Sequence, residues 1–217
     1  MKYELIKDVL DLVAQFEIEK PNNKSVDDFK KWISASCNEN IKQVEPYWEG
    51  KENGRSAESV INTLLVHLNR YAKNYSKSAI FNSNFSTQED FIYLITLKAF
   101  GEMSKMELIK KNVHEKTTGM QIINRLIAND WIEQYDSIID RRSKLIKITQ
   151  KGLDDLEKQM SRIRIATQVV AGDLDNNEKM QLIHLLNKLN NFHLNIYEKN
   201  IDTENLLNEV LKTKNNA

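Results

Sequence analysis

Apolar residues recur at three-to-four spacing through most of this chain, the period of a helix with one buried face. In the first segment, 2–19, the face is Tyr3, Ile6, Val9, Leu10, Val13 and Phe16, and Pro21-Asn22-Asn23 stops it. Ser25 can cap a short helix carrying Phe29, Trp32 and Ile33, after which NENIKQVEPYWEGKENGRS reads as a polar linker. A helix from Ser56 to about Ser76 presents Val60, Leu64, Leu65, Leu68 and Tyr71 on one side. Ser86 and Glu89 have the spacing of a capping box and open another helix, through Phe91, Leu94, Ile95 and Leu97 to a stop at Gly101. Ser104 and Glu107 repeat that signal for a helix of about two turns. A polar turn at 112–114 follows, and EKTTGMQIINRLIANDWI then restores helical period through Ile123, Leu126 and Ile127. Short helix, tight turn and longer helix is the helix-turn-helix pattern.

Beyond Trp131 the period drops to about two. WIEQYD and KLIKIT are short β-type segments joined by SIIDRRS, which predicts a hairpin. Thr149 is placed to cap a long helix from Gln150, and Asp175 with Glu178 opens a last one, NEKMQLIHLLNKLNNFHLNIYEKN. That helix carries more leucine at heptad-like positions than a surface helix needs, which points to a partner subunit. Residues 201–217 read as a short polar, fraying tail. The pattern therefore predicts a mainly α chain with a small β-hairpin wing. A helical appendage and linker over 1–54 precedes a core over 55–200. Within the core, framing helices lie at about 56–76 and 150–199, and the helix-turn-helix and wing at about 86–149.

Composition supports that class. The chain has 217 residues, 41% apolar and 29% charged, which is long enough for a real core, and only two prolines and six glycines interrupt its helices. Lone Cys37 excludes an intramolecular disulfide framework. No apolar run reaches the ~18 residues of a spanning helix, and charges at Glu4, Lys7, Asp8 and Asp11 break any signal-peptide core, so a cytoplasmic setting without membrane contact is expected. The formal net charge is zero, but it is unevenly spread: residues 100–152 hold ten Lys or Arg against seven Asp or Glu, whereas both flanks are acidic.

That basic middle carries the candidate chemistry. On the helix near 115–128, Thr117, Gln121, Asn124 and Ala128 advance by nearly whole turns and share a face opposite Ile123, Leu126 and Ile127. Solvent alone would favour Glu and Lys there. Gln and Asn instead suit bidentate bonding to adenine, and Thr suits a phosphate or a thymine methyl. Lys116 stands at the helix start, in place for backbone phosphate. In the hairpin, Arg141 and Arg142 lie side by side where a solvated turn would use Asn-Gly; a narrow minor groove attracts such guanidinium groups. Asp140 would repel DNA if free, so it is expected to pair with Arg142 or Arg125 and orient the wing.

EKTTGMQIINRLIANDWI followed by DRRSKLIKITQKG resembles the recognition helix and wing of MarR-type winged-helix regulators. The wing of that family carries an Asp-x-Arg-Ser/Ala element, here Asp140, Arg142 and Ser143, before a Leu/Ile-Thr-x-x-Gly segment, here Ile148, Thr149 and Gly152. The likeness covers about residues 56–196. It implies a homodimer joined by the first and last helices of that region, binding a pseudo-palindromic operator and usually repressing transcription, with release by a small aromatic ligand. By that resemblance Arg142 enters the groove; the helix face and the arginine pair themselves make Lys116, Thr117, Thr118, Gln121, Asn124 and Arg141 the other expected DNA contacts. Tyr71, Tyr75 and Trp131 are the candidate lining of an effector pocket.

The chain departs from the family pattern at four places. Asp130 stands where Gly is common before the first wing strand, Gly119 lies inside the recognition helix, Gln121 replaces a frequent arginine, and 1–54 is outside the usual plan. Trp32, Tyr47 and Trp48 of that appendage are expected to pack on the main body. Other chemistries find little in the residues. His67, His114, His184 and His193 form no ligand pair, and no phosphate loop or nucleophile motif occurs, so neither a metal, a cofactor nor an enzymatic activity is expected. The competing class is a winged helix that docks proteins rather than DNA.

Overall fold

The computed structural model describes residues 3–21, 25–40, 45–136 and 144–215, and of 35–40 and 213–215 only the backbone. The chain divides into two compact units, Met1–Val60 and Ile61–Ala217.

In the first unit, α1 (Glu4–Glu19) and α2 (Val26–Asn40) meet through aromatic rings. Phe16 sits 5.4 Å from Phe29 and 5.5 Å from Trp32, and the Trp32 indole donates to Glu19 at 2.9 Å. Ser25 caps α2 as its side chain suggests, accepting from the Asp28 amide at 3.0 Å. Trp32 is thus core to its own small unit. Trp48 closes a local turn around Lys51–Asn53 by donating to the Arg55 carbonyl at 2.8 Å, while Tyr47 is exposed.

The second unit holds most of α3 (Ala57–Ala79), then α4 (Gln88–Phe100), β1 (Met103–Ser104), α5 (Lys105–Lys111), α6 (Lys116–Ala128), β2 (Ile132–Asp136), β3 (Lys144–Ile148), α7 (Gln150–Ala171), α8 (Asn176–Tyr197) and α9 (Thr203–Asn215). The three strands form one antiparallel sheet in the order β1-β3-β2, with Met103 and Gln134 both facing Ile146 in register. Leu94 and Leu97 of α4, Leu108 and Ile109 of α5, Ile123 and Leu126 of α6, Ile146 of β3 and Leu156 of α7 close one continuous core. Burying such side chains is worth about 1.5–3 kcal/mol each before entropy is counted.

Three features differ from expectation. The α4 capping box is Thr87 with Asp90, one residue beyond Ser86 and Glu89; Asp90 accepts from the Ser86 and Thr87 amides at 2.8 and 3.0 Å. The polar tail is a helix, α9, with Leu206 and Val210 half-buried. The two-residue strand β1, too short to leave a periodic signal, supplies the third strand of the sheet. Elsewhere the caps agree: Ser104 with Glu107 opens α5, the Thr149 hydroxyl accepts from the Gly152 amide at 3.0 Å, and Asp175 with Glu178 opens α8. Along α3, α7 and α8, large apolar side chains including Leu64, Leu68, Val169, Ile183 and Leu186 stay exposed.

Candidate nucleic-acid interface

Helix α5 is short because its ends are fixed. Ser104 and Glu107 satisfy its first amides, and the Asn112 side chain donates back to the Leu108 carbonyl at 2.8 Å. The chain reverses through Val113, whose φ of 53° is unusual for a β-branched residue. Gly119 then lets α6 lie directly against α5: a Cβ there would run into Cγ1, Cδ1 and Cγ2 of Ile109. The apparent loss of helix propensity at Gly119 is therefore the condition for close packing of the two helices.

With Ile122, Ile123 and Leu126 turned into the core, α6 presents Lys116, Thr117, Thr118, Gln121, Asn124 and Ala128 to solvent. Their side-chain polar groups make no hydrogen bond to other described residues. The exposed face contains no acid, and α6 has none in its first turn. The end of α6 is anchored from behind. Arg125 gives Nε to Asp90 at 2.8 Å and Nη2 to Thr87 at 3.1 Å, with Asp90 fully buried. Among the described residues Arg125 pairs with Asp90 and so fixes α6 to the start of α4; Asp140, whose expected partner is Arg142 or Arg125, lies outside them.

The wing grows from the end of α6. Asp130 takes φ 55°, the left-handed turn for which glycine is better suited, and Trp131 then drops into the core at 1% exposure. Its indole donates to Asp155 of α7 at 3.0 Å, its ring lies 4.9 Å from Phe85, and its carbonyl accepts the Thr149 amide at 3.0 Å. A Cβ on Gly152 would collide with that same carbonyl, which explains the glycine in the first turn of α7. Asp155 also accepts from Lys158 at 2.9 Å and Asn84 at 3.2 Å; the Lys158 bond, against the opposing effect of burial, holds its carboxyl below the usual value. At the wing base the Tyr135 phenol donates to Glu102, which pushes it up to about 12. Asp140, Arg141 and Arg142 lie outside the described residues.

Of the three aromatics expected around an effector, Tyr75 borders one of two grooves between α3 and α7, and Tyr71 and Trp131 border neither. Tyr75 borders a groove of about 180 Å³ between α3 and α7 with Ala79, Arg162, Ile165 and Val169. A second, also about 180 Å³, is lined by Ala72, Ser76, Phe91, Ile163 and Val170. Tyr71 is exposed on α3 and borders neither. Trp131 borders neither as well; its place is the core, because Asp155 and Phe85 hold it there. Among the described residues, no helix is long and apolar enough to cross a membrane and no three His, Cys, Asp or Glu are grouped to hold a metal ion.

A family model described as a winged helix DNA-binding domain matches residues 85–152. The repressor NicR of Pseudomonas putida is 27% identical over 103 residues, 48% of this chain. Residues 85–152 form a winged helix DNA-binding domain, with the fold of MarR structures. The match spans 65% of NicR itself. Among solved structures, Bordetella bronchiseptica BpsR, whose DNA binding is regulated by 6-hydroxynicotinic acid, superposes with a TM-score of 0.55 at 24% identity over 59% of this chain and 97% of BpsR. A mutant of E. coli MarR in complex with operator DNA superposes at 0.56, with 20% identity over 59% of this chain and 92% of MarR. These likenesses share the MarR-type fold: α3, α7 and α8 frame the domain, α6 stands second in its helix-turn-helix, and β2 and β3 form its wing.

Proposed function

We propose that this chain is a homodimeric, sequence-specific DNA-binding transcriptional regulator that represses its targets and is released by a small aromatic ligand. The observation that carries the reading is the outward face of α6, where Lys116, Thr117, Thr118, Gln121 and Asn124 are exposed, free of acids and without side-chain partners among the described residues. Gln121 and Asn124 read base edges, Lys116, Thr117 and Thr118 position the helix on phosphates, and Arg141 and Arg142 enter the adjoining minor groove. The repressor activity named for NicR and the operator DNA bound by MarR support this assignment.

Two copies are needed to place recognition helices in successive major grooves ~34 Å apart, with half-sites about ten base pairs between centres. The exposed apolar stripe along α3 and α8 supports such pairing, since a monomer in water rarely leaves so much leucine uncovered. The two grooves between α3 and α7, beside Tyr75 and beside Phe91 of α4, are where we place the effector. A gel-shift titration of wild type and Arg142→Ala against the chain's own upstream DNA tests the reading. Affinity should fall across most sequences and the salt slope should shrink by about one. An unchanged affinity and slope would refute the wing assignment.

A further inference from the structure

The C-terminal helices form a cavity against the helix-turn-helix, separate from the α3–α7 grooves and sharing only Lys116 with the proposed DNA contacts. Tyr197, at the end of α8, donates to the His114 carbonyl in the turn before α6 at 2.7 Å. The His114 ring is held in turn by the Tyr93 hydroxyl at 2.9 Å, with the Glu89 carboxylate 3.7 Å from Nε2. Past this clamp the chain turns at Asn200, φ 48°, and α9 begins. The space enclosed between α5, the start of α6, the end of α8 and the start of α9 is about 360 Å³. Its floor is apolar: Ile109, Ile196, Ile201 and Leu206. Exposed Lys110 and Lys116 also line the cavity, neither with an ion-pair partner among the described residues, together with one acid, Glu115.

We propose that this cavity is a binding site for a small amphipathic monoanion, a carboxylate on an apolar body of about eight carbons, which matches its size and its one-sided charge. The apolar body lies on the four aliphatic side chains, and the carboxylate takes the two ammonium groups, which exceed the lone acid. A neutral ligand leaves both lysines unanswered. A dianion meets Glu115. Because Lys116 is also assigned to DNA phosphate, occupancy withdraws it from DNA; that consequence rests on the proposed function, whereas binding itself does not.

Isothermal titration of the full-length protein with octanoate, in the absence of DNA, tests the site, with octanamide as the uncharged control. Octanoate should bind one per chain and octanamide roughly tenfold more weakly, the loss expected when charge-assisted bonds are removed. Lys110→Met with Lys116→Met should bring octanoate down to the octanamide level, and Leu206→Trp, which fills the cavity, should abolish both. Methyl NMR of the wild type gives a second measurement independent of any variant: Ile109, Ile196 and Ile201 methyl signals should shift on titration. Octanoate that does not bind, that moves none of those methyls, or that is blocked by Ala166→Trp in the α3–α7 groove but not by Leu206→Trp, would overturn the proposal. Failure of DNA binding would leave these results untouched, so the two readings fail separately.

Discussion

Arg125 and Asp90, thirty-five residues apart, join the recognition helix to the start of α4: the guanidinium Nε donates to the fully buried carboxylate at 2.8 Å. Asp90 has two other duties, accepting the amides of Ser86 and Thr87, so one carboxylate closes a helix cap and locks α6. The two residues therefore differ in what their loss removes. Asp90→Ala loses the cap and strands a partly buried arginine, and should cost about 3–5 kcal/mol. Arg125→Met leaves Asp90 its two amide bonds, and as Arg125 is itself about one-third exposed, the loss should be nearer ~1–2 kcal/mol. Urea unfolding of the two variants checks the order; equal losses would mean that the cap contributes nothing.

Gly119→Ala should destabilise the domain by about 1–3 kcal/mol although alanine is the better helix former, because the new methyl overlaps Ile109. In an Ile109→Ala background the same change should become neutral or favourable, since all three contacting atoms are gone. Thermal unfolding of the double-mutant cycle reads the coupling directly.

Asp130→Gly should act the other way. At φ 55° glycine relieves backbone strain of roughly 0.5–1 kcal/mol. The Lys151 contact it removes, at 3.8 Å between exposed groups, is worth little. A raised denaturation midpoint is expected, and a lowered one would show that the ion pair outweighs the strain.

Asp155 gives the stability a pH signature. Its folded value lies below the ordinary 3.8, chiefly through Lys158 and with help from Trp131 and Asn84. A depressed carboxylate stabilises the fold fully above the unfolded value, and that contribution disappears as pH falls through the folded one. Lys158 is the reciprocal case: raised by Asp155, its share is present below the ordinary 10.5 and lost only as pH rises beyond it. Comparing wild type with Asp155→Asn by urea midpoint from pH 6 down to pH 2.5, the gap should be constant at the upper end and narrow below about pH 4. A gap that widens on acidification would contradict the assigned direction.

The periodic elements of this fold, and the outward face of α6, can be read in the residues because each follows from local spacing. Ser104 with Glu107 and Thr149 with Gly152 are likewise local, and they form as their spacing implies. The errors arise where a distant partner decides. Ser86-x-x-Glu89 and Thr87-x-x-Asp90 fit the same cap template, and what selects the second is Arg125 on another helix. Trp131 looks like a ligand-facing aromatic until Asp155, on a helix beyond the wing, takes its indole N–H. Gly119 looks like a defect until Ile109 is seen against it. Helix α9 is a different case: Leu206, Leu207, Val210 and Leu211 do carry helical spacing, masked by the polar residues around them.

The central claim is that the α6 face reads DNA sequence. Its most direct test is a competition titration of wild type and Gln121→Ala on the upstream operator, on single-base variants of it, and on unrelated DNA. The account predicts that Gln121→Ala loses about 1–3 kcal/mol of discrimination at one or two base pairs while binding to unrelated DNA, with its steep salt dependence, is unchanged. Equal affinity of both proteins for every variant, or binding that salt does not weaken, would contradict it.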